Sequence, residues 1–187
     1  GPPAPAIGDA MRYAVSRGAF IAVAGGNDFE RSNPVEVVAQ LAGSIDGAIS
    51  VGAVGSDLNR AYYSGARDYI EIAAPGGNAR VGGIAGAVLQ QTIDASLADT
   101  YLLSPSQYRA PRFDAFAYAP LQGTSMATPH VAGLAALLYS QGITSPVAIE
   151  AAMKRFATDK GAAGRDNEYG EGFINPRATL RGLGLLK

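Results

Sequence analysis

Gly47-Ala48-Ile49-Ser50-Val51-Gly52-Ala53-Val54-Gly55 (GAISVGAVG) is an apolar run that does not alternate. A strand with one face in water shows apolar and polar residues in turn. A short continuous run between glycines fits a strand covered on both faces, as in a parallel sheet. Upstream, AFIAVAG (19–25) has the same character and stops at Gly25-Gly26-Asn27. Downstream, DYIEIAAPGG (68–77) alternates and closes on a Pro-Gly turn, which predicts a third strand. Helical periods lie around these runs. Residues 6–17 place Ile7, Ala10, Met11, Ala14 and Val15 on one helical face, and Gly18 supplies the stop. From Thr128 to Gln141 the helical pattern is almost wholly apolar, which predicts a buried helix. Ser145-Pro146 reads as the N-cap and first turn of a helix running to about Phe156. The closing GFINPRATLRGLG predicts a short strand or turn and then a last helix. Helices alternating with apolar strands make this a three-layer α/β fold around a mainly parallel sheet. The segment at about 78–122 carries mixed signals (VLQQTID, SPSQYRAPRFDAFAY) and reads as an insertion with surface excursions.

The composition bounds the partners. With 187 residues, 48% hydrophobic, 17% charged and a net charge of -1, the chain makes one domain with a sizeable core and excludes disorder. No basic run offers a nucleic-acid surface, and no apolar stretch approaches the ~20 residues that cross a bilayer. The absence of cysteine excludes disulfides and thiolate chemistry. The opening GPPAPAIGD lacks the charged and apolar regions of a signal peptide and begins without methionine; it is expected to be part of something longer or the product of a cut.

GTSMATPHVAG (123–133) holds a serine and the only histidine. If a helix begins near Ser125, the hydroxyl sits at the positive helix end, beside free N–H groups suited to an oxyanion. Ordinary N-capping explains the same residues. His130 does not serve as base to Ser125. Five helical positions separate the two by about 140° and ~7.5 Å, whereas proton transfer wants ~3 Å. His130 is expected to be a helix-buried histidine satisfied by a hydrogen bond. Asn27, after two glycines at a strand end, is either a turn asparagine or a neutral donor for an oxyanion.

Several stretches together carry a family likeness. GTSMATPHVAGLAALL resembles the active-serine motif of the subtilisin-like serine proteases, the subtilases. AVAGGND (22–28), AISVGAV (48–54), Tyr63-Ser64-Gly65, AAPGG (73–77) and EYGEGFINPRATL (168–180) follow that family in order, and the likeness is weakest over 29–46 and 78–121. The resemblance implies Ser125 as nucleophile, Asn27 with the Ser125 N–H as oxyanion hole, and Gly25, Gly26 and Thr124 as substrate-binding residues. Residues 1–187 then correspond to the C-terminal portion of one peptidase catalytic domain. The family's aspartate and histidine motifs are missing, so the implied partner is an N-terminal segment that carries both. The implied substrate is a polypeptide and the implied location secreted or extracytoplasmic. The implied chemistry needs no cofactor and no metal. Calcium at Asp68 and Glu71 is disfavoured, because residues three apart in a strand face opposite ways. Asp159, Asp166, Glu168 and Glu171 are expected to be a solvated surface. The alternative function is a non-catalytic peptide-binding or structural homologue.

Overall fold

The computed structural model describes residues 5–93 and 116–185. Its centre is a parallel sheet of β1 (Ile21–Ala24), β2 (Ala48–Val54) and β3 (Ile72–Pro75), in that order. Every residue of β2 is buried, as the unbroken apolar run requires. Alternate side chains of β2 serve two cores. Ala48 packs with Met11, Ala42 and Ile45 beneath α1 (Pro5–Ser16) and α2 (Val37–Ala42). Ile49, Val51 and Ala53 meet Val131, Leu134 and Leu138 of α3 (Thr124–Ser140), with Ile149 and Met153 of α4 (Pro146–Arg155) behind them. Leu180 of α5 (Pro176–Gly182) packs at the rim of that core. This is the three-layer α/β arrangement expected.

The details depart from expectation where neighbours decide burial. β1 is only half-buried, not covered on both faces, because among the described residues it pairs with β2 alone. α2 has no counterpart among the expected helices; it is six residues long, too short for a helical period to declare itself. α3 begins at Thr124 and is not buried all round. Thr124, Ala127, Val131, Leu134, Ala135 and Leu138 face the sheet, while Leu137 and Tyr139 are 50% and 55% exposed. α4 follows its reading, with the Ser145 hydroxyl accepting from Ala148 N–H.

Where it is described, the 78–122 segment leaves the sheet as a ribbon; the surface excursions expected within 94–115 lie outside the described residues. β4 (Val88–Ile93) pairs antiparallel with β5 (Phe116–Leu121) in a register running from Val88↔Leu121 to Ile93↔Phe116. Leu89, Phe116 and Tyr118 stand exposed on it.

A buried charge network ties the sheet to α4. Lys154 Nζ lies 2.6 Å from Glu71 Oε1 and 2.5 Å from Glu150 Oε1. The second oxygen of Glu71 accepts from Ser50 N–H at 2.9 Å, and that of Glu150 from Gly47 N–H at 2.5 Å. Burial raises the Glu71 carboxyl above its ordinary value. Burial pulls the Lys154 ammonium down, but its hydrogen bonds to Glu150 and Glu71 outweigh that and leave it raised. Glu71 is thus turned inward onto a lysine, while Asp68 is exposed. The acids of 159–171 also do more than meet solvent. Asp166 accepts from the N–H groups of Ala162, Glu168 and Tyr169, Asp159 from Gly164, and Glu168 pairs with Arg60 at 3.2 Å. Loop amides must find acceptors, and these carboxylates supply them.

Candidate active site

The site forms where the C-terminal end of β1 meets the start of α3. Gly25 N–H continues the ladder to Val51 C=O at 2.9 Å. A Cβ on Gly25 would lie 2.4 Å from Ile70 Cδ1 and 2.9 Å from the backbone Val51 O, so a side chain there would push the strand off its neighbour. Gly26 then turns with φ +106°, a conformation that favours glycine. Its N–H donates to Thr124 Oγ1 at 3.2 Å and its C=O accepts from Gly65 N–H at 3.0 Å. The next residue, Asn27, is exposed.

Thr124 orients Asn27. Its backbone N–H and its hydroxyl both donate to Asn27 Oδ1, at 2.8 and 3.0 Å. With Oδ1 fixed, the carboxamide nitrogen is the end left for another acceptor. The Thr124 side chain is wholly buried between Gly26 and Asn27.

Ser125 follows on the exposed side of the first turn of α3. Its N–H has no backbone acceptor among the described residues, as expected for an initial helical amide. Gly123 N–H is held by Gly76 C=O at 2.9 Å, and the buried Tyr63 hydroxyl, itself raised by desolvation, is bonded to the carbonyls of Gly76 and Gly77. An exposed hydroxyl, a free amide and an oriented carboxamide therefore converge on one edge. Such an arrangement can hold an acyl centre and the negative charge that develops on its oxygen.

His130 is not buried. It is exposed, with Nδ1 2.9 Å from Met126 C=O one turn back. Pro129 sits inside a continuous helix, so the five-residue spacing from Ser125 keeps its angular offset.

Sequence reasoning missed one flank of the site. A cavity of about 340 Å³ beside Asn27 is lined by Asp28, Glu30, Arg31, Tyr62 and Tyr63. Arg80 stacks over the Tyr62 ring at 3.6 Å and pairs with Glu30, which its hydrogen bonds hold below the ordinary carboxylate value. Gln122 bridges the Tyr62 hydroxyl and Ala79 N–H, both at 2.7 Å, just before the serine turn. These contacts span 18 to 60 residues, and no local pattern announces them. Among the described residues no group of three His, Asp or Glu side chains is arranged to hold a metal, and no helix is long and apolar enough to cross a membrane.

The model of the subtilase family matches residues 2–172. Subtilisin BL of Lederbergia lenta is 33% identical over 180 residues, which are 96% of this chain and 52% of that protein. A protease of Pseudoalteromonas arctica superposes with a TM-score of 0.70 at 28% identity, over 94% of this chain and 46% of that one. Fervidolysin of Fervidobacterium pennivorans, a keratinolytic enzyme related to subtilisin, gives 0.67 at 25% identity, over 94% and 24%. The chain thus spans about half the length of the curated relative it matches.

Proposed function

The chain belongs to the subtilase family, and on that premise we propose that residues 1–187 are the C-terminal portion of a serine endopeptidase domain. Ser125 is the nucleophile in this reading. Asn27 Nδ2 and the Ser125 N–H receive the oxyanion, and Gly25 and Gly26 line the space for the substrate side chain before the cut bond. The observation that carries the reading is the pair of hydrogen bonds from Thr124 to Asn27 Oδ1. It turns a donor outward beside an exposed serine, an orientation that a simple turn asparagine does not need.

A serine hydroxyl needs a base, and none stands near Ser125 among the described residues. We assign the histidine and its orienting aspartate to an N-terminal segment beyond this chain. Two features favour a surface made to receive one: β1 pairs on one side only among the described residues, and Leu137 and Tyr139 of α3 stand exposed. The substrate is then a polypeptide and the location extracytoplasmic. The chemistry proposed uses no cofactor.

The test joins this chain to its upstream segment and treats it with a fluorophosphonate probe. Labelling at Ser125 is expected in the joined protein, and none in the 187-residue chain alone or after Ser125→Ala. A joined, folded protein that stays unlabelled would favour the non-catalytic peptide-binding reading instead. Peptidase activity from the purified 187-residue chain would refute the assignment of the base to another segment.

A further inference from the structure

Gly26 presents its bare Cα to a single side chain. A Cβ built there would lie 2.4 Å from Glu36 Cγ and 3.3 Å from both Cδ and Oε1. The Glu36 carboxylate therefore sits within about 5 Å of Gly26 Cα, one bond length being ~1.5 Å. Gly26 is in turn one residue from Asn27 and bonded to Thr124. Glu36 is half-buried, and its backbone N–H is fixed on the Tyr69 hydroxyl at 2.9 Å.

This carboxylate does none of the usual structural work. It makes no capping bond to α2, whose N-cap it occupies. Other acids of the region are paired: Asp28 with Arg31, Glu30 with Arg80, and Glu71 with Lys154. Among the described residues no cation lies within ion-pair distance of Glu36, and the neighbouring Arg67 turns its guanidinium to Asn33 C=O. A half-buried carboxylate without a cation leaves a negative charge free to pair with one that arrives. A lysine or arginine side chain has the stem length and the donors to supply it.

We infer that Glu36 selects a basic side chain at the substrate position that lies against Gly26. The inference rests on the peptidase reading and refines it from polypeptide in general to a cut after lysine or arginine. A hydrogen bond to a charged group discriminates by roughly 10- to 100-fold.

The experiment uses the protein joined to its upstream segment and two peptides that differ only in lysine or norleucine before the cut. The wild type should prefer lysine by about 10- to 100-fold, and rising salt should erode that preference. Glu36→Gln keeps the volume and the Tyr69 hydrogen bond. It should lower kcat/KM on the lysine peptide to the norleucine value, which should itself change less than about twofold. Equal cleavage of both peptides by the wild type, or an equal loss on both in Glu36→Gln, overturns the inference. Fluorophosphonate labelling separates the two failures. A labelled enzyme without basic preference sinks only the role of Glu36, whereas an unlabelled one sinks the peptidase reading and this inference with it.

Discussion

Replacing Thr124 by valine tests whether Asn27, the proposed oxyanion donor, is held from behind. The change keeps the branched shape and removes one hydroxyl from a wholly buried position. Two bonds disappear: the 3.0 Å donation to Asn27 Oδ1 and the 3.2 Å acceptance from Gly26 N–H. The backbone N–H of residue 124 still holds Oδ1 at 2.8 Å, so Asn27 is loosened, not released. Leaving Gly26 N–H without an acceptor costs ~1–3 kcal/mol, and the lost neutral bond to Asn27 adds about 1 kcal/mol. A stability loss of about 2–4 kcal/mol is expected, read as a shift in urea midpoint with unchanged slope. Catalysis should suffer less than in Asn27→Leu, which deletes the donor altogether. Removing the asparagine that fills in a subtilisin the role proposed for Asn27 costs ~2.7–4 kcal/mol, a range carried over from that relative to Asn27→Leu. For Thr124→Val in the joined enzyme we expect kcat down about tenfold with KM unchanged, since the donor acts on charge that appears only in the transition state. Thr124→Ser, which retains the hydroxyl, should recover most of the kcat. A Thr124→Val enzyme with full kcat, beside an impaired Asn27→Leu enzyme, would refute the reasoning: the carboxamide would then need no hydroxyl to aim it.

Lys154→Met leaves Glu71 and Glu150 buried without their shared cation and should cost ~3–5 kcal/mol in urea unfolding near neutral pH. The raised Lys154 contributes stability that is whole below its ordinary 10.5 and is lost as pH rises through its folded value, so the gap between wild type and variant should close in strong alkali. The raised Glu71 favours folding below its ordinary 4.5, an advantage lost as pH rises through its folded value. The variant should therefore regain stability in acid, and a pH-independent gap would sink this account. Gly26→Ala places a methyl 2.4 Å from Glu36 Cγ at φ +106° and should destabilise by roughly 1–3 kcal/mol. Adding Glu36→Ala should recover the clash but not the backbone strain, and a strictly additive pair in the double-mutant cycle would show that the two residues do not meet. His130→Gln, being exposed, should leave stability within ~0.5 kcal/mol and kcat of the joined enzyme within about tenfold; a many-thousandfold fall in kcat would make His130 the base after all.

The sheet was legible because its signal is local. GAISVGAVG needs no partner to announce a strand covered on both faces, and β2 is buried throughout. The errors concern how much of an element its neighbours cover. AFIAVAG reads like β2, yet β1 is half-buried because nothing described pairs with its outer edge. VAGLAALLYS reads as a buried helix, yet Leu137 and Tyr139 are exposed because the sheet covers one face of α3 only. Apolar character records what a chain is suited to meet, and the folded residues record what it has met.

The candidate site was legible as residue types and not as an arrangement. Serine in Gly-Thr-Ser and asparagine after two glycines could be singled out because each has a distinct chemical use at an element's end. That Thr124 faces backward onto Asn27 could not be read, since the two lie 97 positions apart and threonine at a helix start has a sufficient local explanation. The same holds for Glu36. In sequence it is one acid before a short helix; in space it fills the gap that Gly26 leaves open. A glycine whose missing Cβ is replaced by a distant carboxylate is a property of the pair. Because Glu36 has so little local work to do there, its charge is better explained by what comes to rest against Gly26 than by the fold that holds it.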